Sequence, residues 1–543
     1  MKINYPRALL ACFYSIFSLW GFQLNANDSV SYFRHPFIFI LSALFFYFLI
    51  AGIDLLADRL IRAKDHELSD AQLYAFGLCI LAVWCIVWLA LFPGLAIYDG
   101  PTQLWQFRNG SLSTHHPYIH SAFLAFCDDL ARLTGFEDYS FFNSLFQLVF
   151  QWICYMRILF MMRRLKCKTI YLLWTVFFMA LYPPNAFLAL TTTKDTIFTG
   201  SFVLLLCEIA GSYTSDTLSA PAVVRMLLFG TMMSIFRNNG IYVFAAAFPF
   251  VLLIGAGKGD IPRSSSDRSG IGLKKWALIY GSVIAFSLLY SGLVSHVLHI
   301  ESGDAREAMS CVIQPLARIY NSVPGELSDT ERERIRNIFD GNEAIPYVSY
   351  IADEPKLLFD TDYFMGELKE NITLFFNLMR RYPAGFLDAW LATNLGNFYP
   401  LESLPRPFKV YYEIPLRDNG HSLIPWLYER ISDLAWNSSY SFSRLLTIWF
   451  SSGIALWKLL YVIYFIIRKK NLDRLALCSF PFMLFGTLLL SPVALIRYTQ
   501  PVTVSIPLIF AAAMYTRSTD AHCTGLPETP AHMPDTGSET HKA

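Results

Sequence analysis

Charge is what this sequence has least of: Asp, Glu, Lys and Arg make up 16% of its residues, against about 25% in an ordinary globular chain. That scarcity excludes an extensive solvated surface. With 43 Lys and Arg against 42 Asp and Glu, the net charge is +1, so the basic domain or stripe that nucleic-acid binding needs is missing. Nucleic acid is not expected among the partners. The ten cysteines are scattered, mostly inside apolar stretches (Cys12, Cys79, Cys85, Cys154, Cys207, Cys478), with no CxxC pair and no Cys/His ligand spacing. Neither a disulfide framework nor a zinc module is indicated. A glycine-rich phosphate loop of the GxGxxG or GxxxxGK kind is also missing, which argues against a nucleotide-binding site. No internal repeat is visible.

What is abundant is apolar side chain, 54% of the residues, gathered into blocks of about twenty, the length a helix needs to cross a bilayer core roughly 30 Å thick. Spans are expected near 7–24, 36–53, 73–92, 140–162, 169–189, 195–211, 222–236, 240–255, 276–297, 445–467, 474–492 and 499–515. The pair around Arg237-Asn238-Asn239-Gly240 is short enough to be broken or re-entrant. The first block follows Lys2 and Arg7 as a signal peptide would, but Leu24-Asn25-Ala26 is a poor cleavage site, and it reads as a span. The fold class is thus an all-α polytopic membrane protein of about twelve transmembrane helices.

Lys and Arg in the loops set the orientation. With the N-terminus in the cytoplasm, 21 of them fall in inner segments and 6 in short outer ones. A multi-pass protein of the cell membrane with both termini cytoplasmic follows. Four regions are expected: a transmembrane module at 1–297, whose first exoplasmic loop is 93–139; an exoplasmic helical domain at 298–444; transmembrane helices at 445–515; and a disordered tail at 516–543, rich in Ser, Thr, Asp, Pro, His and Gly. In the first loop, Pro117 suits a helix start, and Ile119, Phe123, Phe126 and Leu130 recur at helical spacing, as on a helix lying along a membrane surface. In the long domain, Ser328-Asp329-Thr330-Glu331 is a capping box.

Intramembrane charge is costly and therefore informative, and it is expected to avoid the middles of the spans and collect where helices meet the outer face. Asp99, Lys194, Asp195, Arg237 and Arg497 all fall at that level. Taken singly, each reads as an interfacial anchor or a local ion pair; taken together, they describe an outward-facing polar cleft. Asp99 sits in Pro93-Gly94-Leu95-Ala96-Ile97-Tyr98-Asp99-Gly100, directly after a span, where a carboxylate is held in position and partly desolvated as a general base should be. His115 and His116 precede a helix N-terminus, which disfavours an imidazolium and favours bound anions.

Pro93-Gly94, Tyr98-Asp99-Gly100 with Gln103, His116-Pro117, Thr193-Lys194-Asp195-Thr196, Arg237-Asn238-Asn239-Gly240, Gln314-Pro315-Leu316-Ala317-Arg318 and Arg497-Tyr498 resemble, in that order over about residues 85–515, the landmarks of an uncharacterised family of bacterial multi-pass membrane proteins. That family is similar to the GT-C glycosyltransferases. The resemblance implies a GT-C-like fold, with Asp99 at the position of the essential Asp in the first outer loop. It also implies transfer of a sugar from a polyprenyl-phosphate donor to an envelope glycan, lipid or protein acceptor, and His115, His116, Lys194, Asp195, Arg237, Arg318 and Arg497 are the candidates to bind substrate or phosphate. The common GT-C pattern has an adjacent Asp-Glu or Asp-x-Asp, whereas Asp99-Gly100-Pro101 stands here, so a divalent metal is allowed but not required. A secondary transporter, or a ligase-type or non-enzymatic protein of envelope assembly, are the competing readings.

Overall fold

The structure is a computed structural model that describes residues 4–32, 34–62, 67–97, 99–136, 138–215, 217–256, 273–401, 422–436, 448 and 451–515. The expected disordered tail, Tyr98, and most of the 256–275 and 437–450 segments lie outside the described residues. Among those described there is no β-strand, only isolated bridges between loops.

Twelve helices lead to the long domain: α1 (Tyr5–Asn27), α2 (Pro36–Arg62), α3 (Asp70–Ala90), α4 (Gly100–Asn109), α5 (Tyr118–Thr134), α6 (Ser140–Arg164), α7 (Thr169–Leu181), α8 (Pro183–Ala189), α9 (Asp195–Gly211), α10 (Ala220–Phe236), α11 (Gly240–Ala256) and α12 (Leu273–Val297). The domain itself holds α13 (Ser310–Ser322), α14 (Asp329–Ile338), α15 (Asp353–Leu357), α16 (Thr361–Gly366), α17 (Leu368–Arg381), α18 (Pro383–Thr393) and α19 (Leu395–Phe398). After α20 (Pro425–Trp436) come α21 (Ser452–Lys469), α22 (Leu475–Leu488) and α23 (Ile496–Met514).

Local chemistry sets several of these boundaries. Ser69 and Gln72 close a capping box at the start of α3, and Ser328 with Glu331 does the same for α14. The helix α5 begins at Tyr118, directly after Pro117. Among the described residues five helices (α1, α2, α3, α6 and α12) are long and apolar enough to cross a membrane, and α7 with α8 makes a sixth if the bent pair is one span. The helices α10 and α11 are shorter apolar helices. This is an all-α membrane protein.

One expected span is not a straight helix. The 169–189 block breaks at Tyr182-Pro183, and α7 and α8 meet at 48°; proline closes one helix because it offers no N–H, and opens the next because its fixed φ suits the first turn. Every residue of α8 from Pro184 to Ala189 is buried. Its freed polar groups are caught inside the bundle: Tyr155 and Gln500 donate to the Asn185 side chain at 2.7 and 2.6 Å, and Asn185 donates to the Met179 carbonyl at 3.0 Å.

The early and late helices form a single core. Leu73, Trp84, Tyr155, Phe202 and Phe244 join Phe465, Phe480, Val502 and Leu508 in one apolar cluster, so α21 to α23 pack among the helices that precede the long domain. Residues 310–386 hold a separate core around Ile313, Ile335, Phe339, Phe364 and Leu378.

One charge stands further inside a helix than expected: Lys458 lies in α21 beside an apolar cavity of about 560 Å³ lined also by Tyr14, Ile50, Trp457 and Phe510. Arg157 and Glu208 pair between α6 and α9 toward the ends of those helices. Periodicity shows where a charge falls along a helix, but not whether a neighbouring helix brings a counter-ion to it.

Candidate functional site

Two loops build the site. The segment after α3 runs beside the segment after α8: Leu95 N–H donates to the Leu190 carbonyl at 2.8 Å, Thr192 N–H returns to the Leu95 carbonyl at 3.0 Å, and the Thr192 hydroxyl both accepts from Ile97 N–H and donates to the Ile97 carbonyl. This parallel pairing of Leu95 with Thr191 carries Asp99 to Lys194, whose ammonium lies 3.4 Å from its carboxylate. The close approach needs two glycines. A Cβ on Gly100 would stand 2.1 Å from the Thr192 hydroxyl, and one on Gly94, at φ +147°, 2.2 Å from the Ser144 hydroxyl.

Beneath the loops, polar groups on α6 hold the second segment of the pair. Asn143 donates to the Thr191 carbonyl at 2.9 Å, Ser144 to Leu190 at 3.1 Å and Gln147 to Thr193 at 2.9 Å. Buried backbone carbonyls with no helix or sheet partner need such donors. The Asn143, Ser144 and Gln147 set sits at the first turns of α6, and sequence reasoning missed it; polar residues recurring at positions i, i+1 and i+4 of an otherwise apolar helix are the signal that marks it.

Asp195, the first residue of α9, is buried, with a side chain 3% exposed, and takes Arg237 at 3.0 Å and Arg497 at 3.7 Å. Its charge at a helix N-terminus is also favoured by the helix dipole. Arg237 is further fixed between aromatic rings, 4.3 Å from the centroid of Tyr498 and 5.5 Å from that of Phe198, and Arg497 lies 5.1 Å from the same Tyr498 ring. The rest of the Arg237 turn ties the surroundings together. Asn238 donates to the Thr114 carbonyl at 3.0 Å, and Asn239 to Thr487 at 2.8 Å. The loop carrying His115 and His116 is also fastened to the start of the long domain, where Thr114 N–H donates to the Glu301 carbonyl at 2.9 Å and Gly303 N–H to the Thr114 hydroxyl at 2.7 Å.

The five charges Asp99, Lys194, Asp195, Arg237 and Arg497 therefore share one site at one end of the helical bundle, with three cations against two carboxylates. Burial opposes ionisation of Asp99, but Lys194 and then Arg497 outweigh it and hold the carboxyl well below the ordinary carboxylate range. Burial pushes His116 down to about 3, with Lys194 adding to the effect. The imidazole is neutral at ordinary pH, and its ring packs against that of the exposed His115, centroids 4.5 Å apart. His120, on α5, is fully buried, is likewise pushed down to about 3 by burial, and has Nδ1 2.7 Å from Gln103 Oε1. His116 Nδ1 and Gln103 Nε2 are buried with no hydrogen-bond partner among the described residues, while His120 also has the Thr193 backbone beside it; both histidines lie within the field of Asp99 and Lys194.

Arg318 does not join this site. It binds the Asp28 carboxylate at 2.9 Å and Tyr347 at 2.7 Å, with Asp388 at 3.8 Å, while Gln314 donates to the Val348 carbonyl at 2.6 Å. The Gln314 to Arg318 stretch thus fastens the long domain to the turn between α1 and α2. Among the described residues no group of three or more His, Cys, Asp and Glu side chains is placed to hold a metal ion.

An all-α membrane protein with a mixed-charge site at one end of its bundle is the class that fold and site define. Residues 91–525 match DUF6020, described as a family of unknown function, and the chain belongs to that family. No curated protein matches it. No solved structure does either.

Proposed function

We propose that this protein is a membrane glycosyltransferase of the GT-C kind, with twelve spans and both termini cytoplasmic, that moves a sugar from a polyprenyl-phosphate donor to an envelope glycan, lipid or protein acceptor on the exoplasmic face. The observation that carries the reading is the convergence of Asp99, Lys194, Asp195, Arg237 and Arg497, from four separate stretches of chain, on one net cationic site. An anionic phosphate supplies the charge such a site lacks. In the reaction, the acceptor hydroxyl gives its proton to Asp99 as its oxygen bonds to the anomeric carbon. The bond from that carbon to the phosphate oxygen breaks, and its electron pair leaves on the polyprenyl phosphate.

Lys194, Arg237 and Arg497 stabilise the departing phosphate, charge stabilisation being usually the largest catalytic term. Asp195 acts through the two arginines, which it positions. Asp99 is a weak base while Lys194 faces it; a phosphate that draws Lys194 and Arg497 toward itself weakens their hold on the carboxylate and raises its basicity as the donor arrives. The orphaned nitrogens of His116 and Gln103 suit an acceptor rich in hydroxyls. The test supplies purified protein with labelled polyprenyl-phosphate sugars and a crude envelope-glycan acceptor and follows label into the acceptor. Transfer by the parent that collapses in Asp99→Asn supports the reading, and equal transfer by both overturns the base assignment.

A secondary transporter is the second reading. The bend between α7 and α8, with α8 buried in the bundle, favours it, because broken helices line the sites of many transporters. Solute uptake by the parent without sugar transfer would decide for it.

A further inference from the structure

Well away from Asp99, two arginines share one carboxylate on the lipid-facing side of the bundle. Glu208, in the last turns of α9, has a side chain 3% exposed and binds Arg157 of α6 at 2.8 Å and Arg225 of α10 at 2.9 Å. Thirteen residues separate Asp195 from Glu208 on the same helix, about 20 Å at 1.5 Å per residue. The two arginines are not enclosed: 35% of the Arg157 side chain and 41% of the Arg225 side chain stay exposed.

The direction of that exposure follows from the helix surfaces. On α6, Phe146, Val149 and Ile153 are exposed, and Arg157 continues the same face four residues on. On α10, Val224 and Leu228 are exposed, and Arg225 borders that face, about 60° round the helix from Leu228. Exposed apolar faces of helices that cross a membrane meet lipid, so the two guanidinium groups look toward acyl chains and headgroups. By residue count, Arg157 and Arg225 lie about 8 to 10 Å inside their helix ends, a depth from which a long side chain reaches a headgroup. Among the described residues one carboxylate under two guanidiniums leaves a charge of +1 at a seam where an uncompensated charge is costly.

We infer that the seam of α6, α9 and α10 binds the phosphate of an anionic phospholipid, with Arg157 and Arg225 as its ligands and Glu208 fixing both. The residual positive charge selects an anion, and the apolar faces on either side receive the chains. The guanidinium fork suits a phosphate oxygen pair better than an ammonium would. This inference is independent of the glycosyltransferase reading.

The test uses full-length protein in bilayer discs of phosphatidylcholine, with or without phosphatidylglycerol, and counts the lipids that stay bound on extraction by native mass spectrometry. The protein should retain phosphatidylglycerol over phosphatidylcholine by about fivefold to tenfold, as two cations less one carboxylate near a headgroup allow. The preference should vanish in Arg157→Gln/Arg225→Gln and survive in Lys274→Gln/Lys275→Gln, which removes exposed charge on α12. If the double arginine variant fails to fold, Arg225→Gln alone, the more exposed of the two, should cut the preference by at least half. Equal retention of the two lipids, an unchanged preference in the arginine variants, or displacement of the lipid by inorganic phosphate at the same concentration would each overturn the assignment.

Discussion

The two ends of the helical bundle both carry ionic clusters, but they are built differently. Asn471, which follows α21, donates to the Ala513 carbonyl near the end of α23, whereas Arg497 lies at the start of α23. Sixteen residues separate the two levels, about 24 Å of helix. At the Asn471 end, Asp54 of α2 takes Arg7 at 2.8 Å, Tyr464 at 2.7 Å and Arg468 at 3.1 Å, and Asp58 takes Arg468 and, at 2.9 Å, Lys469. These charges sit on helix faces and pair off from one helix to the next. At the Arg497 end the ratio of three cations to two carboxylates is the same, but Asp99 and Lys194 are delivered by loops whose backbones are paired, and neutral imidazoles stand beside them. The first arrangement joins helices. The second sets loop-borne charges beside uncharged imidazoles.

That contrast is tested most severely at its two carboxylates. Asp99→Asn should reduce transfer by about 10² to 10⁴-fold, the usual worth of a positioned base, with the melting temperature and abundance near the parent's. Asp54→Asn should do the reverse. It leaves Arg7 and Arg468 facing a neutral amide in a buried position and should cost about 3–5 kcal/mol of stability, seen as lower abundance and a lower melting temperature, while each surviving molecule transfers at the parental rate. If Asp54→Asn abolishes transfer in folded protein, or Asp99→Asn unfolds it, the division of labour between the ends is wrong.

Much of this organisation is legible in the residues themselves, for reasons that also set the limits. Apolar blocks give helices because no other open structure satisfies its backbone in lipid, and charge at block ends gives the Asp99, Lys194, Asp195, Arg237 and Arg497 set because a charge there is costly unless gathered. Arg318 misleads because its motif shows only that an arginine is held in place. Its partners Asp28 and Asp388 lie 290 residues upstream and 70 downstream, and no spacing rule reaches them. The Tyr182 break was there to read in Pro183-Pro184, but hydropathy averages over it. His120 escaped because a lone His on an apolar face carries no sign of Gln103, which another helix turns toward it. Arg157 and Glu208 escaped in the same way.

A smaller effect probes how the loops hold the site. Gly100→Ala places a Cβ 2.1 Å from the Thr192 hydroxyl and 2.5 Å from its carbonyl oxygen, so the paired segments must part, and the lost packing should cost about 1–3 kcal/mol. Transfer should fall with it, since Asp99 moves away from Lys194. Gly281 lies within α12, and a Cβ added there would meet nothing within 4 Å. Gly281→Ala should therefore be neutral or slightly stabilising, because glycine inside a helix is about 0.5–1 kcal/mol worse than alanine. Equal melting temperatures for the two variants would mean that the loop pairing does not constrain the site.

The least drastic test is a titration, and its sign follows from two imidazoles, the half-buried His116 and the fully buried His120. His116 and His120 are pushed from the ordinary 6.5 down to about 3 by burial, with Lys194 adding to it in both cases. Between those values the unfolded chain binds protons that the folded chain refuses, so stability rises with pH across the window. The contribution is fully present above about 6.5 and is lost progressively as the pH falls toward 3. Melting temperature should therefore drop on acidification through this range, and His116→Asn/His120→Asn should flatten the drop, because an amide keeps a hydrogen-bonding group near Nδ1 without a titrating proton. An unchanged slope in the double variant would show that these imidazoles are not held neutral by their surroundings, and the picture of a cationic site lined by uncharged nitrogen would fail with it.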